Sequence, residues 1–200
     1  MFETRHILCY VNTGEGYSDA VHRAARLASQ ANAALTLIGV VEPIARLLAP
    51  FLGSAHRLES VLATQLESEL DALAGQLREQ GLEVERVLRQ GQPSEQISQQ
   101  VLEGGHDLVV KLAQGQDGRM LGETARRLVR ACPAPVWIVK PGPRERRRVA
   151  AAVDPEGDAE LQGRILARAR QAADCLDARL DVVHAWDMLA SHLLASRMQP

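Results

Sequence analysis

The residues able to do chemistry are few and scattered. His6, His22, His56, His106, His184 and His192 fall into no constellation. His106 stands beside Asp107 and could titrate near neutrality, but no second His, Cys or carboxylate falls around it at metal-ligand spacing. It reads as a structural or loop residue. Ser94 with His106 makes no nucleophilic pair from sequence, because a triad is defined by geometry. There is no G-x-S-x-G elbow, no P-loop and no G-x-G-x-x-G after the first apolar run. Lys111 and Lys140 are the only lysines, which leaves a catalytic-lysine mechanism few candidates. Cys9, Cys132 and Cys175 form an odd set without close spacing, so neither a disulfide framework nor a zinc site is expected. They read as small buried hydrophobes in a reducing compartment. The expectation is a protein without catalytic residues, without a metal and without an enzyme activity. One other pattern invites chemistry: Gly115, Gly118 and Gly122 punctuate a loop between an apolar run and a helix.

Composition narrows the partners. The chain has 200 residues, 46% hydrophobic and 24% charged, with a formal net charge of −2. A nucleic-acid or membrane-surface protein would normally show a basic excess, so neither partner is expected. No apolar run reaches the ~20 residues of a membrane span. MFETRHILCYV lacks the basic and apolar segments of a signal peptide. The expectation is a cytoplasmic protein.

The elements alternate. Ile7 to Val11 is apolar throughout, as in a strand buried on both faces. Ser18 can cap a helix to about Ala31 that turns Val21, Ala24, Ala25 and Ala28 inward. Leu35 to Val41 is a second strand, stopped by Pro43. Ile44 to Gly53 is apolar and reads as a loop or a short helical turn. From about Ala55 to Gln80, Leu58, Leu62, Leu66, Leu70, Leu73 and Leu77 share one helical face, a core stripe. Glu83 to Arg89 alternates apolar and charged residues, the mark of a strand at a sheet edge. Pro93 and Ser94 open a helix with Ile97, Val101 and Leu102 inward, closed by Gly104 and Gly105. Asp107 to Leu112 is a fourth strand, the glycine loop leads to a helix ending near Arg130, and Val136 to Val139 is a fifth strand.

This alternation predicts an α/β fold: a doubly wound parallel five-stranded sheet of order 3-2-1-4-5, helices on both faces. Its ligand crevice would lie outside the carboxyl ends of strands 1 and 4. The first domain is read as residues 1–141 and a linker as residues 142–148, where the cluster Arg144, Arg146, Arg147 and Arg148 reads as solvated. The pattern then repeats, with a strand at Val149 to Val153, a helix from Asp158 to about Asp177 and a strand from Arg179 to Trp186. Residues 149–200 are therefore read as the β-α-β start of a second copy.

The two openings, ILCYVN and VAAAVD, resemble the first strand of universal stress proteins. GQPSEQISQQVLEGGHDLVVKLA and RACPAPVWIVK are similar to that family's G-x-P…DLIV and C-P-x-P-V segments. GGHDLVVK and CPAPVWIVK resemble more narrowly the E-type tandem members, which carry two such domains in one chain. The resemblance spans residues 5–141 and part of 148–186. It implies a Rossmann-like domain of the adenine nucleotide alpha hydrolase type.

The family's nucleotide motif is G-x-x-G, nine residues, then G-[S/T]. Its glycines let backbone amides approach phosphates, and its last pair sits at a helix N-terminus that favours an anion. By that resemblance Leu112 stands at the first glycine and Gly115 at the second. Gly122 is the third after only six residues, and Glu123 replaces Ser or Thr. Thr124 partly substitutes for the hydroxyl. Asn12 replaces the first-strand aspartate, Val40 matches a position whose backbone contacts adenine, and Asp154 matches the aspartate in the second copy. The implied cofactor, ATP, is expected to bind poorly or not at all, because Leu112 is bulky and Glu123 is negative. What is expected instead is a non-enzymatic stress-response protein acting through a protein partner or small ligand. The alternative is an ATP-binding, slowly hydrolysing switch, and a third reading is an apolar ligand held under Leu47, Leu48, Phe51 and Leu52. Family members pair through strand 5, so a homodimer through Val136 to Val139 is expected, because an exposed apolar edge recruits another chain. Residues 149–200 have too little chain to close a core alone. The readings left open for them are disorder, docking on the first domain, exchange with a neighbouring chain, and a sequence that is a fragment of a longer tandem protein.

Overall fold

The computed structural model describes residues 4–16, 18–43, 55–113, 121–141 and 148–184. The chain divides into two compact units, residues 3–142 and residues 143–200 with the first two residues. The expected roof residues Leu47, Leu48, Phe51 and Leu52 lie outside the described residues, as does Trp186.

In the first unit the elements run β1 (His6–Val11), α1 (Asp19–Ala31), β2 (Ala34–Val41), α2 (Ala55–Glu79) and β3 (Val84–Gln90). They continue through α3 (Pro93–Gly104), β4 (Leu108–Leu112), α4 (Glu123–Ala131) and β5 (Val136–Val139). All five strands pair in parallel in the order β3-β2-β1-β4-β5, the doubly wound sheet expected from the alternation. The central strands have partners on both edges and helices over both faces, which is why they read as unbroken apolar runs. Leu8, Tyr10, Ile38, Val40 and Val109 form a core with Ile97 and Val101 of α3 and Leu128 of α4. At the β3 edge, Val84 is buried while Glu85 and Arg86 face solvent.

Local chemistry sets the helix ends. The Ser18 hydroxyl accepts from the Val21 amide at 3.4 Å, and Asn32 closes α1 in the left-handed conformation. Gly39 has a packing reason: a Cβ there would lie 2.8 Å from the Leu66 side chain, so α2 can cross β2 only over a bare Cα.

Two expectations about helix faces need correction. Leu66, Leu70, Leu73 and Leu77 are buried, but Leu58 is 46% exposed. At 25 residues α2 is about 37 Å long. The eight residues of β2 reach only about 26 Å. The first turns of α2 therefore project past the carboxyl edge of the sheet. Leu102 is 73% exposed and not an inner residue. Val101 already points into the core, and the next residue is rotated about 100° away from it.

The second unit contains β6 (Arg148–Ala152), α5 (Ala159–Leu176) and β7 (Arg179–Val183). The two strands pair in parallel from Arg148↔Arg179 to Ala152↔Val183. Arg148, expected in the linker, opens the strand. Asp158 caps α5 by accepting from the Leu161 amide at 2.7 Å.

Candidate functional site

Strand order reverses between the paired strands β1 and β4, so the connections leaving their carboxyl ends part to opposite faces of the sheet, where a doubly wound fold has its crevice. Three segments reach it: the turn after β1, the end of β4, and the start of α4. Asn12 leaves β1 half-buried, and its carbonyl accepts from the Glu15 amide at 3.1 Å to form a tight turn. Gly14 has φ +79°, a conformation glycine adopts without cost. Its N–H points at α2, donating to Glu69 Oε2 at 2.9 Å, while Gln65 Nε2 steadies Glu69 Oε1 at 3.0 Å. An amide at this carboxyl edge thus already holds a carboxylate of the protein itself.

At the far side, Leu112 ends β4 half-buried. Gly122 is the N-cap of α4 and offers no side-chain bond to its first turn. Glu123 follows, exposed, with its carboxylate 2.7 Å from Arg126 and 2.8 Å from Arg127. Hydrogen bonds from Arg127 and then Arg126 hold its carboxyl below the usual range, so it stays anionic. Thr124 is half-buried one residue on. Gly115 lies outside the described residues. Val40 is 5% exposed and belongs to the core cluster. Asp154 is in the second unit and exposed, with Oδ1 accepting from the Glu156 amide at 3.1 Å. A cleft of about 350 Å³ opens nearby between Val41, Leu88 and Arg89 of the sheet and Glu59, Ser60 and Ala63 of α2.

Sequence reasoning missed Lys111 as part of this edge. It is 1% exposed, its Nζ donates to the Leu112 carbonyl at 3.0 Å, and it sits 5.1 Å from the centre of the Tyr10 ring. Burial lowers its pKa from the ordinary lysine value while Glu15 pulls the other way. The same burial, with Glu42 and Glu15, raises Tyr10. The signal was a lone lysine inside the otherwise apolar run Leu108 to Leu112.

Ser94 and His106 sit at opposite ends of α3 and do not meet. Cys9 and Cys175 are buried and Cys132 is half-buried, all as free thiols. Burial, then Glu15, pushes Cys9 up to about 12, which leaves it unreactive near neutrality. The histidines are not all scattered: His6 and His106 stack with ring centres 3.9 Å apart. Some hundred residues of sequence separate them, and only the β1–β4 pairing brings them together. Among the described residues no three His, Cys, Asp or Glu side chains are grouped to hold a metal. No described helix is long and apolar enough to cross a membrane.

The universal stress protein family model matches residues 3–140. The chain belongs to the universal stress protein family. Universal stress protein E of Escherichia coli K12 is 43% identical over 61 residues, 29% of this chain and 19% of that protein. Universal stress protein E of Photorhabdus laumondii is 28% identical over 148 residues, 70% of this chain and 46% of that protein. The matched part of the chain spans less than half the length of either relative. Among solved structures, a putative universal stress protein from Pseudomonas aeruginosa is similar in fold, with a TM-score of 0.70 and 22% identity. That likeness covers 96% of this chain and 66% of the other. A universal stress protein solved in complex with cAMP has a TM-score of 0.52 and 19% identity, covering 69% of this chain and 98% of that one.

Proposed function

We propose that this universal stress protein works without catalysis, by binding a protein partner or a small ligand, and that its first domain takes ATP weakly or not at all. The observation that carries this reading is Glu123 at the first position of α4. A helix N-terminus attracts an anion, and here the protein has placed its own carboxylate there. Two like charges about 4 Å apart repel by on the order of a kcal/mol even in bulk water. Leu112 and the Glu69 carboxylate on the Gly14 amide add to that exclusion. The test is cheap: purified protein carries no nucleotide, and MgATP leaves its melting temperature unchanged. A clear rise at micromolar MgATP would sink the proposal.

The second reading is a nucleotide-dependent switch binding ATP or a related adenine nucleotide. It is favoured by Thr124, which keeps a half-buried hydroxyl in the first turn of α4, and by the relative solved with cAMP.

Two assembly proposals go with the main one. β5 is an edge strand whose Val136, Trp137 and Ile138 are only partly covered, which supports a homodimer through Val136 to Val139. Light scattering at tens of micromolar should give twice the chain mass, and a clean monomer would overturn it. Residues 149–200 carry the β-α-β start of a second universal stress protein domain, in a protein acting in the cytoplasm.

A further inference from the structure

At the amino edge of the sheet, opposite the crevice, four elements meet around two imidazoles. His6 is the first residue of β1, and His106 lies between α3 and β4. His106 is 5% exposed, and its ring packs so closely on Gly104 that a Cβ there would lie 2.3 Å from its Cε1. The partners fix both tautomers. His106 Nδ1 lies 3.1 Å from the Gln100 carbonyl, which can only accept, so Nδ1 carries the proton. His6 Nδ1 likewise donates to the Gly104 carbonyl at 3.0 Å, and its Nε2 accepts from the Thr36 hydroxyl at 3.0 Å. His106 Nε2 is left buried, an unprotonated nitrogen without a hydrogen-bond partner among the described residues. The surrounding bonds tie the strands together: the Asp107 amide donates to the His6 carbonyl at 3.0 Å, and Asp107 Oδ2 accepts from the Arg5 amide at 2.7 Å.

We propose that the His6–His106 stack is an acid-sensitive clasp: protonating His106 opens the junction of α3 and β4 from the start of β1. A proton on Nε2 would bury a charged N–H without an acceptor. The Gln100 carbonyl on α3, Asp107 before β4 and Glu85 on β3 favour the cation, and a charge on His6 of β1 would oppose it. From the α3 side, Arg89 is held by Gln100 and Glu103. Burial outweighs the carboxylates and brings His106 from 6.5 down to about 4. A histidine depressed in the folded state contributes stability that is complete above its free value. That stability drains as pH falls from about 6.5 towards 4.

The test compares denaturant unfolding of the wild type and His106→Asn, whose amide still reaches the Gln100 carbonyl, from pH 7 to pH 4. The wild-type unfolding constant should rise relative to the variant by up to about tenfold per pH unit between 6.5 and 4, the limit for one proton. His106→Phe should also remove the pH dependence, and the exposed His184→Asn should keep it. Parallel curves for wild type and the His106 variants would overturn the proposal. In amide exchange, corrected for intrinsic rates, Asp107 should lose protection on acidification before the centre of β2. Simultaneous loss throughout the sheet would overturn a local opening. If neither His106 variant folds, nitrogen chemical shifts of the wild-type ring decide: Nε2 unprotonated and no titration above pH 5 supports the clasp, and titration near 6.5 contradicts it.

Discussion

The β1-α1-β2 and β6-α5-β7 units are the same motif written twice and buried very differently. Each helix starts on a capping oxygen, Ser18 in α1 and Asp158 in α5. Each ends on a left-handed residue at φ 50°, Asn32 and Asp177. Each strand pair is parallel and in register. Yet Leu35, Leu37 and Ile38 of β2 are fully buried, while Val182 and Val183 of β7 are 57% and 45% exposed. The difference is company. β1 has β4 on its other edge and β2 has β3, whereas β6 and β7 have only each other among the described residues. Caps and hydrophobic pattern make a β-α-β unit; neighbouring strands and helices make it a core.

Leu37→Ala should destabilise the first unit by about 2–5 kcal/mol, whereas Val182→Ala should cost under about 0.5 kcal/mol. Equal losses in denaturant melts would mean that β7 is covered as β2 is. Capping should show the opposite bias. Asp158→Ala, which loses a 2.7 Å bond, should cost about 1 kcal/mol locally, read as faster amide exchange in α5, and Ser18→Ala with its 3.4 Å bond about half that. Equal or reversed effects would show that the helices depend on packing alone. Smallest are the exposed ion pairs. Arg86→Ala removes the pairs with Glu67 and Asp71, Arg148→Ala removes one of the two pairs of Asp181, which keeps Arg179, and each should change stability by less than about 1 kcal/mol.

Much of the fold was legible because parallel strands advertise themselves as apolar runs and helices as capped periodicities. Alternation implied a parallel sheet, and the order 3-2-1-4-5 was its natural doubly wound topology. What failed were residues whose fate depends on distance. Leu58 fits the stripe perfectly but lies beyond the end of the sheet, and Leu102 neighbours a core residue without sharing its face. The site was legible only in part. Leu112 and Glu123 could be placed by motif, and they stand at the end of β4 and the start of α4. The Glu69 carboxylate on the Gly14 amide, the Lys111 amine over Tyr10 and the His6–His106 stack join residues far apart in sequence, which no local pattern reports.

By resemblance to the family's nucleotide motif, each β-α-β unit is altered or incomplete by itself. The first has an altered loop and Asn12, and the second has Asp154 held in a local turn. The most direct test is calorimetric titration of MgATP into this chain at neutral pH. The account predicts no measurable binding at tens of micromolar protein. A saturable isotherm with a micromolar dissociation constant and one site per chain would contradict it.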